Sequence, residues 1–258
     1  MASTMKFSVI TVCFNSEKHL AGTIGSVAAQ TYKNVEYIVV DGMSEDNTPG
    51  IIRSNEEKIS RWISEPDHGL YYAMNKGIAL ATGDVVGFLH SDDFFSNEHV
   101  IGKMAEVFDK TGADAVYGDI RYVDQSDASK VLTSRKYGQF KRWKMQLGWH
   151  PPHPAFYVKR EFLVNGGMFD TSFAISADYD LMLRLLIGKK IRAEYIPEVL
   201  VKMRVGGVSN RTMPNVRKKW REDYRAMRKN HFGTPLTIFL KTMRPVTHFL
   251  KSPRYLFE

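Results

Sequence analysis

Among its 258 residues the chain has a single cysteine, Cys13. That excludes an internal disulfide framework and suits a reducing compartment. No apolar run approaches the roughly 18 residues that a spanning helix needs. The N-terminal MASTMKFSVIT lacks a charged region followed by a long apolar core, so no secretory leader is expected. Neither a GxxxxGK[ST] phosphate loop nor a GxGxxG fingerprint occurs, and no internal repeat or low-complexity tract is visible. A membrane span, a disulfide scaffold and a solenoid are thereby set aside.

What is present is an ordinary globular composition, 43% hydrophobic and 25% charged, long enough to bury a sizeable core. The net charge of +8 is unevenly placed. From Pro214 onward there are 11 Lys and Arg against 3 Asp and Glu, whereas the first 213 residues hold 25 of each sign and cancel. A neutral body with a basic tail argues against a nucleic-acid binder. The tail interleaves its charge with apolar residues, PLTIFLKTMRPVTHFLKSPRYLF, a pattern that fits an anionic membrane surface. A solvated basic helix packing its apolar side on the body would read the same way. The basic-aromatic RKYGQFKRWK at 135–144 carries the same two readings. Pro235, Pro245 and Pro253 favour short broken helices there.

Hydrophobic periodicity predicts strands at 6–12, 35–40, 59–64, 84–90 and 114–120, alternating with helices at 17–30, 70–81 and 97–110. Such alternation indicates an α/β fold, a mostly parallel sheet covered on both faces. Residues 121–157 look irregular, a helix is expected over 178–188, and short strands over 192–204. A further helix from Pro214 would carry Val216, Trp220, Tyr224 and Met227 on one buried stripe, stopped by Gly233-Thr234-Pro235. The expected division is a domain over 1–213 and a basic helical extension over 214–258.

Ligands of open parallel sheets bind where the carboxyl ends of the strands open into a crevice. Phe14 and Asn15 follow the first strand, Asp41 ends the second, Asp67 follows the third, and Asp92 and Asp93 follow the fourth. Each alone is an ordinary turn or cap residue. Together they form a rim of carboxylates that suits a hard divalent cation, Mn²⁺ or Mg²⁺, bridging a diphosphate.

The combination SVITVCFN, IVVDGMSEDNT and SEPDHGLYYAMNKGIALATGDVVGFLHSDD resembles the family 2 glycosyltransferases of the GT-A fold, from about Lys6 to Asn210. The resemblance implies an inverting transfer of a sugar from a nucleotide-diphosphate donor with a divalent metal. It places Val12, Cys13 and Phe14 at the base, Asp41 as acceptor of a base N–H, and Asn15, Asp67, Lys76 and Asp92 on the nucleotide-sugar side. Asp93, with Asp92, would ligate the metal. A carboxylate partner selects an imide or lactam N–H, so a UDP-sugar comes first, with dTDP- and GDP-sugars behind. His90 stands where many members have aspartate. It is either a packed ring or a ligand for Mn²⁺ rather than Mg²⁺.

The acceptor hydroxyl needs a base from the second half of the fold. The family's Glu-Asp pair aligns with Ala177-Asp178, which makes Asp178 the expected base, with Ser176 capping its helix. Asp180, about 200° further round, is the fallback. His153 in WHPPHPAFYVKRE is expected either on the acceptor or diphosphate side or as a structural ring. Arg204 or Ser209 in MRVGGVSN would meet the phosphates. The implied acceptor is a glycan, free or polyprenyl-linked, and the implied location is cytoplasmic, peripheral on the inner face of the membrane. A non-catalytic nucleotide-sugar or glycan-binding module and a metal-dependent nucleotidyltransferase are the rivals. VCFNSEKHL lacks the Gly-rich basic loop of the latter.

Overall fold

In a computed structural model, residues 4–205 and 213–242 are described. Nine strands form one sheet: β1 Phe7–Cys13, β2 Val35–Asp41, β3 Arg61–Ser64, β4 Val85–Phe88, β5 Phe94–Phe95, β6 Ala115–Val123, β7 Val131–Arg135, β8 Phe156–Lys159 and β9 Ala193–Arg204. Their spatial order is β3-β2-β1-β4-β8-β6-β9-β5, with β7 on β6. β1, β2, β3 and β4 run parallel, as do β6 and β9. β8 runs antiparallel between β4 and β6, and β5 and β7 are antiparallel to their partners.

β1 is buried at all seven positions, so both its faces must be apolar. Ile10 and Val12 join one core with Met74, Ile78 and Tyr117; Phe7 and Val9 join the other with Leu20, Ile24 and Phe108. That period of two puts helices on both faces. α1 Leu20–Ala28 and α4 Val100–Thr111 cover one, and α3 Leu70–Leu80 covers the other. Each such side chain withdrawn from water contributes about 1.5–3 kcal/mol. α2 is Thr48–Arg53, with proline in its first turn, and α4 stops at Gly112, whose φ of 62° only glycine adopts at little cost.

The stretch expected to be irregular holds β7 and the short α5 Arg142–Gln146, followed by α6 Arg160–Asn165. α7 Ala177–Met182 continues as a π-helical turn, Leu183–Gly188. The short strands expected over 192–204 are one 12-residue strand.

The largest difference lies at the C-terminus. α8 Met213–Lys229 buries Ala226 and Met227, which join the main core with Phe232. The expected stripe is rotated, because Trp220 and Tyr224 are each 46% exposed. Glu222 and Asp223 take their place inside, satisfied by partners that sequence periodicity cannot see. A second helix covers 235–242; the rest of the predicted tail, with Pro245 and Pro253, lies outside the described residues. Among the described residues no helix is long and apolar enough to cross a membrane.

Candidate active site

The carboxyl ends of β1, β2, β3, β4 and β9 meet along one edge, where parallel strands open their crevice. At the β1 end, Val12 and Cys13 are buried and Phe14 is 62% exposed. The Cys13 carbonyl accepts the Gly42 N–H at 2.9 Å, and burial pushes the Cys13 thiol far up, leaving it inert. A Cβ on Gly42 would lie 3.4–3.6 Å from the Phe14 ring, an Asp67 oxygen and the Cys13 carbonyl. The absent side chain thus leaves a cradle walled by an aromatic face and a carboxylate. Lys76 of α3 fixes Asp67 at 2.6 Å and Glu65 at 2.8 Å, so it positions the wall.

Asp41 is fully buried. Its carboxylate accepts the Ser44 hydroxyl at 2.5 Å, the Ser44 N–H at 3.2 Å and the Ser64 hydroxyl at 2.6 Å. With the Cys13 thiol, 3.8 Å from the same carboxylate, four donors occupy its lone pairs, and its evident work is to fold the 42–47 loop over the β2 end. Asn15, at φ 49°, accepts the Glu45 N–H and donates its own N–H to Ser44, pinning the same loop.

At the β4 end the two aspartates diverge. Asp92 stays at the rim, half-buried, while Asp93 is 1% exposed with one carboxylate oxygen lacking any partner. Burial, then repulsion from Asp92, raises the Asp93 carboxyl well above the usual range, and the Arg204 backbone N–H only partly offsets this. Arg204 donates a guanidinium N–H to the Asp92 carbonyl at 2.8 Å and stacks over Phe94 at 4.8 Å. Ser209 lies outside the described residues.

Among the described residues no group of three or more His, Cys, Asp or Glu is arranged to cage a metal. A diphosphate-bridging cation needs only one or two carboxylates from the chain. An unsatisfied buried carboxylate oxygen beside a second carboxylate fits that demand.

His90 lies between the two halves of the crevice. Burial pushes its imidazole down, and the negative charges of Asp92 and Asp178 only partly offset this. Its neighbour His153 stacks on Phe88 at 5.5 Å and meets Phe169 at 5.6 Å and His90 at 5.9 Å. Burial drives His153 and His150 down to about 4, so both are neutral near pH 7.

Asp178 opens α7 and accepts the Tyr71 hydroxyl at 3.3 Å and the Tyr179 N–H at 2.8 Å. Burial pushes its carboxyl up, but Lys219, His153, His150 and Lys241 outweigh this and hold it below the ordinary range. Asp180 lies elsewhere: fully buried, it accepts Arg184 and Asn230 at 2.8 Å each, so the fallback base is a structural anchor. Ser176 makes no side-chain cap. Glu222 of α8 instead accepts the N–H groups of Ala174, Ile175 and Ser176 at 2.8–3.1 Å. Lys241 from 235–242 pairs with Asp223 at 2.7 Å and sits 3.2 Å above the Tyr179 ring. Burial lowers that ammonium to about 8. Nothing local in the sequence marked Glu222, Lys219 or Lys241.

The parallel strand ends, with an exposed aromatic, two adjacent aspartates and the helix that begins at Ala177-Asp178, belong to an α/β architecture of GT-A type. Residues 8–174 match the family described as Glycosyl transferase family 2, and the chain belongs to that family. An uncharacterised glycosyltransferase of Mycobacterium tuberculosis is 36% identical over 190 residues, 71% of this chain and 70% of its own. Staphylococcus aureus TarS 1–349, solved with UDP-GlcNAc, superimposes with a TM-score of 0.69 at 20% identity, covering 98% of this chain and 75% of that one. A longer TarS chain is covered over 43% of its length. The mannosyltransferase PcManGT of Pyrobaculum calidifontis, solved with GDP-Man and Mn²⁺, gives 0.65 at 16% identity, covering 96% and 72%.

Proposed function

We propose that this glycosyltransferase moves one sugar, with inversion, from a nucleoside-diphosphate donor to a hydroxyl of a glycan or polyprenyl-linked glycan. One observation carries the reading: Gly42 leaves a cradle between the Phe14 ring and the Asp67 carboxylate at the strand ends, and Tyr71 of the adjoining α3 donates to Asp178 at 3.3 Å. The base of the nucleotide stacks on Phe14 in the Gly42 cradle, with Asp67 as the acceptor at hand and Asp41 as an acceptor only in exchange for one of its present donors. A carboxylate acceptor suits the imide or lactam N–H of uracil, thymine or guanine, and the UDP-GlcNAc held by TarS supports uracil first. As the acceptor oxygen attacks the anomeric carbon, Asp178 takes its proton and the sugar–phosphate bond breaks. The bonding pair leaves with the nucleoside diphosphate. Arg204 stands by the leaving side. Asp92 with Asp93 would hold Mn²⁺ or Mg²⁺, which neutralises developing phosphate charge when bound.

The TarS and PcManGT complexes, which hold UDP-GlcNAc and GDP-Man with Mn²⁺, support a nucleotide-sugar donor. The basic surface of α8 supports a membrane-borne acceptor. Calorimetry with UDP-, dTDP- and GDP-sugars, in Mn²⁺ and in EDTA, tests the donor site. Asp178→Asn is expected to bind donor as the wild type does while losing about 10²–10⁴-fold in transfer. Donor binding without turnover by the wild type would reduce the chain to a binding module. No binding of any nucleotide would remove the donor site altogether.

A further inference from the structure

The segment that introduces the base, Ala174–Ser176, presents three successive backbone N–H groups ahead of α7. No side chain of its own segment takes them, because the Ser176 hydroxyl is buried without a partner and makes no cap. Unpaired N–H groups at a buried helix entrance are costly. The Glu222 carboxylate, 46–48 residues away on α8, accepts all three: Ile175 at 2.8 Å, Ser176 at 3.0 Å and Ala174 at 3.1 Å. From the opposite side the Tyr71 hydroxyl of α3 donates to the Ile175 carbonyl at 2.6 Å and reaches Asp178 at 3.3 Å. The turn bearing Asp178 is therefore gripped by the donor half through Tyr71 and by the C-terminal helix through Glu222.

We propose that Glu222 is a positioning residue for sugar transfer: by gathering the N–H groups of 174–176 it fixes the first turn of α7, and with it the Asp178 carboxylate, against the donor. The proposal rests on the reading of Asp178 as base. It extends the catalytic apparatus past residue 174, where the family match ends, into α8. The grip is charge-assisted: Oε2 accepts from all three N–H groups and Oε1 from that of Ala174 as well. An amide keeps one oxygen and turns an NH₂ toward an N–H group, so it holds the turn imperfectly. Displacement of a catalytic group by about 1 Å costs on the order of 10²-fold in rate.

The test is Glu222→Gln in the full chain, beside Met227→Ala, which opens a cavity under the same helix without touching 174–176. Both variants are expected to melt at lower temperature than the wild type. Glu222→Gln alone should lose about 10²-fold in kcat, with donor KM and calorimetric Kd unchanged within twofold. In hydrogen exchange its 173–182 amides should open while α3 and the β1–β3 ends stay protected. Equal losses of kcat in the two variants would reduce Glu222 to a stability role and overturn the proposal. So would unchanged exchange over 173–182, a readout that needs no turnover. Donor binding lost in the wild type itself would mark failure of the glycosyltransferase reading instead, and the exchange result would still decide the grip.

Discussion

Phe14 keeps 62% of its surface in water, two positions after Val12 keeps 6%. A ring held out at a strand end gives the fold little burial, and its value lies in what stacks on it. Phe14→Ala is therefore expected to weaken nucleotide binding by about 5- to 160-fold, since stacking of a base on an aromatic side chain contributes ~1–3 kcal/mol. The melting temperature should stay within a degree or two, and calorimetry beside thermal denaturation separates the two effects. The same ring shows what one sequence can and cannot say. The places of Phe14, Arg204 and Asp178 were legible because each lies at or beside the end of a periodic strand or the start of a helix. The partition of Asp92 to the rim and Asp93 to the interior was not, because adjacent residues point to opposite sides only once the backbone turn is known. Asp180 shows the converse: its carboxylate serves Arg184, Asn230 and the fold.

At the scale of elements, the parallel strands are joined by side chains as well as by ladders. Ser8 of β1 donates to Glu36 of β2 at 2.6 Å. The same carboxylate accepts the Thr82 N–H at 2.8 Å, the Thr82 hydroxyl at 2.7 Å and Lys6 at 3.2 Å. Partial burial pushes the Glu36 carboxyl up, but the hydrogen bonds from Ser8, Thr82 and Lys6 outweigh it and hold it at about 2. A depressed carboxyl stabilises the folded state fully above its unfolded value near 4.5, and the contribution disappears as pH falls toward 2. Glu36→Gln is expected to cost about 1–2 kcal/mol at pH 7, after allowance for solvent screening. Urea denaturation should show that gap closing between pH 4.5 and 2.5; a gap independent of pH would mean that shape, not charge, holds the staple. Strands and helices of this half were legible because β1, β2 and α3 each keep one strict period. α8 was misread because its inward face is polar: Glu222 and Asp223 are buried against groups 46 residues upstream and 18 downstream, which no local pattern encodes.

For the molecule as a whole, turning those two carboxylates inward has an electrostatic consequence. α8 carries Arg217, Lys218, Lys219, Arg221, Arg225, Arg228 and Lys229, and no acidic side chain remains on its exposed side. Trp220 and Tyr224 stand among these cations, and Leu236 and Phe239 of the next helix are about 60% exposed. Cations interleaved with interfacial aromatics suit an anionic bilayer, where each basic residue contributes about 1 kcal/mol near the surface. The basic tail was visible in the composition; the inward turn of its acidic residues, which leaves the helix's own exposed charges all positive, needed the fold. In flotation assays the full chain is expected to bind vesicles containing about 30% anionic lipid and to leave neutral ones alone. Binding should weaken several-fold between 0.05 and 0.5 M salt, because exposed charges are screened within about 10 Å at 0.1 M and 3 Å at 1 M. Replacing Trp220 and Tyr224 together by alanine should weaken binding while donor affinity, set by residues at the strand ends, stays the same. Equal flotation with neutral and anionic vesicles would place the attraction in the apolar residues alone. Retention on nucleic acid with no flotation would assign the basic face to a different polyanion.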